Sequence, residues 1–339
     1  MAVNPPRVLV IGSVCSPDSH EWHVMDTLAH MGLPAVFVQA RLSLGGARTL
    51  NLAINKLAGT FLREPELLYE KRLLSEVRRF QPTLVLVIQG SQVSPKTVAK
   101  MRSVTQAPIA CWCQDPLIAL GRQFMLGAGY DTVFVKDRHM QDVFSRMIRS
   151  TTFHYLPEAC NPRVHRAVEL SAAEQATYGC DVMIAGTLYY YRQEILRQIS
   201  GFDLRVWGSR PGWLLNRLSA RHEGREVVMA EKAKALRAAR ICLNTLNFSE
   251  VNALNCRAFE IAGCGGFQLM TSAPVVSEHF EPGVELVTFD SVENLVEQIH
   301  HYLRNPQQAA DIARRGQLRA HRDHTYESRL REILKVCAA

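Results

Sequence analysis

The feature that most constrains this chain is a repeated alternation of short apolar runs with amphipathic stretches. In the first half the runs are RVLVIGSV (7–14), AVFVQA (35–40), TLVLVIQG (83–90), APIACWC (107–113) and DTVFVKD (131–137). Each has the length of a strand. Between them lie segments such as EPELLYEKRLLSEVRRF (64–80), where Leu67, Leu68, Leu74, Val77 and Phe80 recur near helical spacing. A strand with one wet face would alternate apolar and polar residues. Continuous apolar strands separated by helices therefore predict parallel strands buried on both faces.

The alternation pauses at LPEACNPRVHRAVELSAAEQATYG (156–179), which holds two prolines, many small residues and no strong strand. It reads as a crossing between domains, with room for a short helix. Strand-like runs resume with CDVMIAG (180–186), DLRVWG (203–208), ARICLNT (239–245), GFQLM (266–270) and VELVTF (284–289). Helical stretches accompany them at 191–199, 231–239 and 292–304, and Asn305-Pro306 is a good helix start. The expected organisation is α/β, with two doubly wound parallel-sheet domains facing a cleft. The first spans 1–160, a linker 161–179, the second domain 180–320, and a terminal helix 321–339 crosses back to the first domain. Ligands of such sheets bind outside the carboxyl ends of the strands.

Composition narrows the class. Hydrophobic residues make up 47% and charged residues 21% of the 339, the balance of a folded globular chain. The net charge of +7 suits an anionic ligand, but the arginines are scattered, with no basic block of the kind that binds nucleic acid. The nine cysteines form no C-x-x-C pair and several sit inside apolar runs. They read as buried thiols of a reducing compartment and argue against a disulfide framework or zinc site. MAVNPPRVLVIGSVC reads as a first strand, since its apolar run is short for a signal peptide. No stretch approaches the ~18 apolar residues of a membrane span. A soluble, cytoplasmic protein is the expectation.

One segment stands out chemically: NALNCRAFEIAGCGGFQLM (252–270). As a helix, its Ala258, Ile261 and Ala262 form a narrow apolar face, and Arg257 and Glu260 share the neighbouring one. Asn252 and Asn255 precede it, where an amide can cap free backbone N–H groups. A helix start that opens into a cleft attracts phosphate, and Arg257 adds a forked cation suited to a diphosphate. Glu260 repels phosphate but has the chemistry to accept from ribose hydroxyls. Gly265 and Gly266 permit a tight turn and close backbone approach. An ordinary surface ion pair followed by a turn accounts for the same residues equally well.

The second half resembles the donor-binding domain of CgeB-like (spore maturation protein-like) glycosyltransferases, a branch of the two-Rossmann-domain GT-B enzymes. The resemblance lies in LNTLNFSEVNALNCRAFEIAGCGGFQLMT (243–271), EHFEPGVELVTFDSVENLVEQIHHYLRNPQQAADIARRG (278–316) and HTYESRLREIL (324–334). YLPEACNPRVHR (155–166) and CDVMIAGTLYYYRQEIL (180–196) are similar to that family's interdomain and domain-entry segments. In related enzymes two glutamates eight apart line the donor site, the second holding the ribose. Glu260 takes the second position, whereas Asn252 stands at the first and Glu250 lies two residues before it. The resemblance also implies that Gly186 and Thr187 approach the diphosphate and that Arg192 helps neutralise it. A solvated position at a helix end is the other reading of Arg192.

In the first half, SVCSPDSHEWH (13–23) follows the first strand and would line the acceptor side in a GT-B enzyme. Asp18 and His20 are candidates there for a base acting on an incoming hydroxyl. His20 and His23 also have a weak metal-ligand spacing, and Asp18 or Ser19 could simply cap the next helix. CWCQDPL (111–117) resembles a Trp-x-x-Asp segment of these enzymes and places Asp115 at the carboxyl end of a strand. Asp115 is the leading candidate base of this half, with a turn-forming Asp-Pro as the alternative. HRDHTY (321–326) reads as part of the terminal helix, and TLYYY (187–191) could stack a base or sugar.

These readings predict a glycosyltransferase that uses a nucleotide-diphosphate sugar as substrate and has no cofactor. The chain has no Asp-x-Asp motif, in keeping with metal independence. An epimerase or hydrolase of nucleotide sugars, or a silent GT-B-like binding module, are the alternatives. The expected partners are the donor and an acceptor that is a protein, a glycan or a small molecule. Nucleic acid and an integral membrane segment are not expected. Peripheral membrane contact and oligomeric state stay open.

Overall fold

Aliphatic and β-branched runs form eleven strands in two all-parallel sheets among the described residues. The computed structural model describes residues 5–41, 66–115, 123–199, 201–208, 221–248, 250 and 252–338, with 54, 57, 120 and 218 singly. The N-terminal part of the predicted helix at 64–80 lies outside them, as do residues 116 and 117 of the Trp-x-x-Asp segment. The chain divides into two compact units, one of Met1–Pro157 with Arg329–Ala339 and one of Glu158–Ser328.

In the first unit the strands are β1 (Val8–Gly12), β2 (Ala35–Gln39), β3 (Leu84–Ile88), β4 (Ile109–Cys113), β5 (Thr132–Val135) and β6 (Thr152–Tyr155). Their order is β2-β1-β3-β4-β5-β6. Helices α1 (His20–His30), α2 (Leu67–Phe80), α3 (Pro95–Arg102) and α4 (Arg138–Met147) form the crossovers described. Their starts are chemically marked. Ser19, Ser94 and Asp137 each accept a hydrogen bond from a first-turn N–H, and Pro95 supplies the preset first φ of α3. Every residue of β1, β3 and β4 is buried. Leu9, Ile11, Val85, Val87 and Val133 belong to one continuous core. Strand β6 was not anticipated. It is a sheet edge, and TFHY, with Thr152 exposed and His154 half-buried, lacks the apolar run that marks the inner strands.

In the second unit the strands are β7 (Val182–Ala185), β8 (Leu204–Trp207), β9 (Ile241–Asn244), β10 (Gln268–Thr271) and β11 (Val287–Phe289), in the order β11-β10-β9-β7-β8. The helices are α5 (Ala172–Tyr178), α6 (Tyr190–Gln198), α7 (Met229–Ala238), α8 (Cys256–Gly263), α9 (Val276–His279), α10 (Val292–Arg304), α11 (Pro306–Asp323) and α12 (Tyr326–Cys337). A capping box between Ser171 and Glu174 starts α5 within the stretch read as a crossing.

HRDHTY is not one helical segment. Its first three residues end α11, and the backbone then leaves the helix to bond Cys160. The Cys160 N–H donates to the His324 carbonyl (2.9 Å), and the Tyr326 N–H donates to the Cys160 carbonyl (3.0 Å). All nine cysteines are free thiols. No helix among the described residues is long and apolar enough to cross a membrane.

Candidate functional site

In the second sheet the chain passes from β7 to β8 on one side and returns to β9 on the other. Loops leaving the carboxyl ends of β7 and β9 therefore diverge to opposite faces and open a crevice between them, the usual ligand site of a doubly wound sheet. Gly186 and Thr187 follow β7, Asn244 ends β9, and Thr245 follows it. These residues and the first turn of α8 build the site.

Asn255 caps α8 by accepting from the Ala258 N–H at 3.2 Å. Its amide also pairs reciprocally with that of Asn244, the two Nδ2–Oδ1 distances being 3.0 and 3.1 Å. Asn244 Nδ2 further donates to Gln268 Oε1 (3.2 Å), and Gln268 Nε2 donates to the Ala258 carbonyl (3.3 Å). Asn244, Asn255 and Gln268 are all buried. This satisfied amide network fixes the start of α8 against the ends of β9 and β10. The α8 dipole and its free first-turn N–H groups favour an anion at that end.

Two guanidiniums converge on the turn after β7. Arg257, in the first turn of α8, donates only a long bond from Nε to Asn244 Oδ1 (3.5 Å) and is half-buried. Arg192 is buried, at 2% exposure. Its Nε donates to Thr245 Oγ1 (2.7 Å), its NH2 to the Thr245 carbonyl (3.1 Å) and its NH1 to the Thr187 carbonyl. Gln193 adds a bond from Nε2 to the Leu188 carbonyl (3.2 Å). Arg192 thus ties the β7 loop to the β9 loop, and the reading of it as a solvated helix end is overturned. Burial and then the Arg257 charge pull the Arg192 guanidinium down to about 9, against the opposing charges of Tyr189 and Glu250. Among the described residues Arg257 keeps most of its donors unspent, whereas those of Arg192 are engaged.

One turn further along α8, Glu260 is also buried. Its Oε2 lies 3.0 Å from Lys232 Nζ on α7 and its Oε1 lies 3.7 Å from His165 Nε2. The Asn161 N–H donates to His165 Nδ1 at 3.0 Å, so the neutral ring carries its proton on Nε2, toward the carboxylate. A small recess lies over Ala185, Leu236 and Ile261, rimmed by Arg257, Glu260 and Lys232, so its walls are apolar and its rim carries two cations and one carboxylate. Burial pushes the Cys256 thiol of the same helix well above its ordinary value, so that thiol stays protonated.

The structure brings Gly186, Thr187, Arg192, Asn255, Arg257 and Glu260 to this crevice. Gly265 belongs elsewhere. It sits at the far end of α8, about 12 Å along an eight-residue helix. With φ +68°, it is the left-handed residue of a Schellman cap. The Gly265 N–H donates to Ala262 (2.8 Å) and the Gly266 N–H to Ile261 (3.0 Å). Its position among the ligand-binding candidates is therefore corrected: it ends the helix at the amino end of β10. Asn252 lies half-buried in a bend before the Asn255 cap. Glu250, by contrast, is buried, accepts from the Asn247 N–H (3.2 Å), and is close enough for its charge to act on Arg192.

Asn244, Thr245, Gln268, Lys232 and His165 escaped the sequence reading. A polar Asn-Thr pair closing the buried strand ICLNT was a usable signal for the first two, because strand ends face the ligand side. Lys232 resembles any other lysine of EKAKALRAA, and nothing local marks His165.

At the carboxyl end of the first sheet, Ser19 caps α1, accepting from the Trp22 N–H (3.1 Å). Asp18 is left free of that role. It adopts φ +69° and sets Oδ1 3.1 Å from His23 Nε2, both side chains being buried. His20 packs edge-on to Trp112, with ring centroids 4.4 Å apart, and hydrogen-bonds Gln114 beyond β4. Burial, and secondarily the charge of His23, holds the His20 imidazole well below its ordinary value, so it is neutral at pH 7. Asp115 accepts from Gln89 Nε2, whose backbone turns at φ +64° after β3. His20 and Asp115 thus occupy neighbouring loops, while the Asp18–His23 pair is a separate contact.

Residues 192–335 match the family described as glycosyl transferase-like. No curated protein matches the chain at significant similarity. Among solved structures, the sucrose-phosphate synthase of Thermosynechococcus elongatus aligns with a TM-score of 0.70 at 11% identity, covering 97% of this chain and 98% of that one. Anabaena HepE in complex with UDP and glucose aligns at 0.66 and 12%, covering 98% and 100%. The protein has the GT-B fold. A putative UDP-N-acetylglucosamine 2-epimerase from Listeria monocytogenes shares it, at a TM-score of 0.59 and 12% identity, covering 97% and 95%. In GT-B terms, Gly186, Arg192 and Arg257 sit at the switch point of the second Rossmann-like sheet, and the family match begins at Arg192 itself.

Proposed function

We propose that this protein transfers a sugar from a nucleotide-diphosphate sugar to an acceptor hydroxyl, without a resident cofactor or metal. The observation that carries the reading is the convergence of Arg257 and Arg192 on the Gly186 turn, beside the capped start of α8. Departure of the nucleotide diphosphate breaks the bond from the sugar C1 to the phosphate oxygen and leaves negative charge on that oxygen. Arg257, the α8 N–H groups and the fixed charge of Arg192 stabilise it by preorganised electrostatics. Glu260, held by Lys232, accepts from the ribose hydroxyls. Asn252 occupies the position of the first family carboxylate and contacts the sugar through its amide. The acceptor oxygen forms the new bond to C1, and its proton passes to Asp115 or to neutral His20. The narrower kinship with CgeB-like enzymes and a cytoplasmic setting, which suits nine free thiols, belong to the same proposal.

The test is a thermal-shift and calorimetric screen of the full chain with nucleoside diphosphates and their sugars. Ligand at 100 times Kd adds about 2.7 kcal/mol of stability. No shift with any of them would overturn the donor reading. Turnover that persists in EDTA supports metal independence, and turnover lost in EDTA and restored by a divalent ion removes it. Two features favour other readings. The fold is shared with a putative epimerase, and Asn252 replaces a carboxylate. Donor consumption without acceptor would establish the first alternative, and donor binding without consumption the silent module.

A further inference from the structure

A second recess, of ≈ 200 Å³, lies at the amino ends of β9 and β10. A single buried water needs only about 10–15 Å³, and pockets for drug-sized ligands run to roughly 300–1,000 Å³. The space therefore fits a small molecule. Arg237, Phe267, Tyr302 and Pro306 line it, and the short side chains of Ala309 and Ala313 on α11 keep it open. Arg257 stands in the first turn of α8, whereas this recess meets the glycine turn that ends the same helix. The two sites are a helix length apart.

An imbalance between donors and acceptors selects the occupant. Tyr302 is buried, at 8% exposure, and its ring centroid lies 4.5 Å from that of Phe267. Its hydroxyl has no hydrogen-bond partner among the described residues and is not sealed inside the protein. The side chain lines this recess, so the hydroxyl opens into it. Burial holds the phenol above its ordinary range, and it stays a donor. Arg237, in the last turn of α7, offsets the helix dipole but makes no hydrogen bond or ion pair among the described residues. Arg240 beside it differs, donating to Asp181 Oδ1 (3.2 Å) and to the Leu303 carbonyl. Pro306 opens α11, and no side chain caps that helix start. The acceptors at this end are already engaged. The Ala238 carbonyl accepts from Gln175 Nε2 (3.0 Å), and those of Ile261 and Ala262 accept from the Gly266 and Gly265 N–H groups.

Open donors beside an unpaired guanidinium call for an acceptor-rich anion. A carboxylate has two oxygens for the guanidinium fork, the hydroxyl and the helix start, whereas a phosphate monoester has three and matches each. The carbon body of the ester rests on Phe267 and the alanines. We infer that this recess is a second anion site, which binds a small phosphate monoester through Arg237 and Tyr302. It does not depend on the donor reading.

The experiment titrates the full chain with phenyl phosphate, inorganic phosphate, benzoate and phenol, followed by calorimetry. Phenyl phosphate is expected to bind more tightly than inorganic phosphate, and phenol is expected not to bind. Arg237→Ala combined with Tyr302→Phe should weaken phenyl phosphate at least about tenfold, the loss of a charge-assisted contact and a hydroxyl donor. Arg257→Gln should leave its affinity unchanged. Absence of binding, or binding that survives the double variant, overturns the assignment. Binding lost in Arg257→Gln instead places the ester in the crevice of the donor and overturns it as well. Benzoate binding as tightly as phenyl phosphate removes the match to a phosphate head, and the proposed ligand class falls.

Discussion

Arg257 and Arg192 meet at a glycine. Arg257 NH1 lies 2.6 Å, and Arg192 NH1 3.8 Å, from the point where a Gly186 β-carbon would stand. Two like charges held this close in a partly buried site repel, and burial deepens the penalty. A diphosphate beside the turn relieves that repulsion for both. The pair is thus arranged as the complement of an anion, with different duties: Arg192 spends its donors on Thr187 and Thr245, and Arg257 keeps its own.

The division of duties predicts opposite signatures for two substitutions. Arg257→Gln should weaken the nucleoside diphosphate that the screen selects by about 1.5–3 kcal/mol, the worth of a hydrogen bond to a charged group, with little change in melting temperature. Arg192→Met should leave the Thr187 and Thr245 carbonyls without their donor and destabilise the fold by about 1–3 kcal/mol. Calorimetry and urea unfolding on both variants check this. A stable Arg192→Met protein would show that the two loops do not depend on the tie.

Gly186 should resist substitution for two reasons. Its φ of +109° is one that residues with a β-carbon rarely adopt, and a methyl there would intrude on Arg257. Gly186→Ala is expected to lower stability by about 1–3 kcal/mol. It should also reduce affinity for that nucleotide about tenfold by displacing the guanidinium, so unchanged affinity would separate Arg257 from the ligand.

Much of this arrangement was legible in the chain. The apolar runs located ten of the eleven strands among the described residues because parallel strands buried on both faces need unbroken hydrophobic sequence. The edge strand β6 was missed since its exposed side relaxes that need. Asn255, Arg257 and Glu260 could be placed on one helix start from capping chemistry and spacing. Gly265 takes the tight turn expected of it, but a glycine demanded by a left-handed cap looks the same in sequence as one that lets a ligand approach the backbone. Lys232 and His165 could not be found, since their meeting with Glu260 is set by packing between segments far apart in the chain.

Gly265 provides a control away from the ligand. Gly265→Ala forces a β-carbon into φ +68° at the α8 cap and should destabilise the protein by about 1–2 kcal/mol. Nucleotide affinity should be unchanged when measured well below the melting temperature. A large loss of affinity would return Gly265 to the site.

His20 gives the fold a defined pH response. Its folded-state ionisation lies well below the ordinary value of 6.5, mainly through burial. Between those two values the unfolded chain binds a proton that the folded chain refuses, so this contribution to stability falls as pH drops below about 6.5. The slope is at most ~1.4 kcal/mol per pH unit for one group. Urea unfolding at pH 7 and pH 5 should show a smaller loss in His20→Gln than in the parent. Equal losses would place the acid sensitivity in other groups.

Glu260 should read the ribose. The parent protein is expected to prefer the nucleoside diphosphate that the screen selects to its 2′-deoxy analogue, because a carboxylate oriented by Lys232 can accept from the ribose hydroxyls. Glu260→Ala removes those acceptors, so it should weaken that nucleotide by about 1.5–3 kcal/mol and bring the two to equal affinity. It also leaves Lys232 without its 3.0 Å partner, and the fold should loosen modestly. Glu260→Gln keeps an acceptor and the shape but loses the charge, and should retain part of the preference. Competition calorimetry with both nucleotides measures each quantity. If the Glu260→Ala variant keeps the full ribose preference, the carboxylate is a partner of Lys232 and His165 alone, and the nucleoside lies against other walls of the crevice.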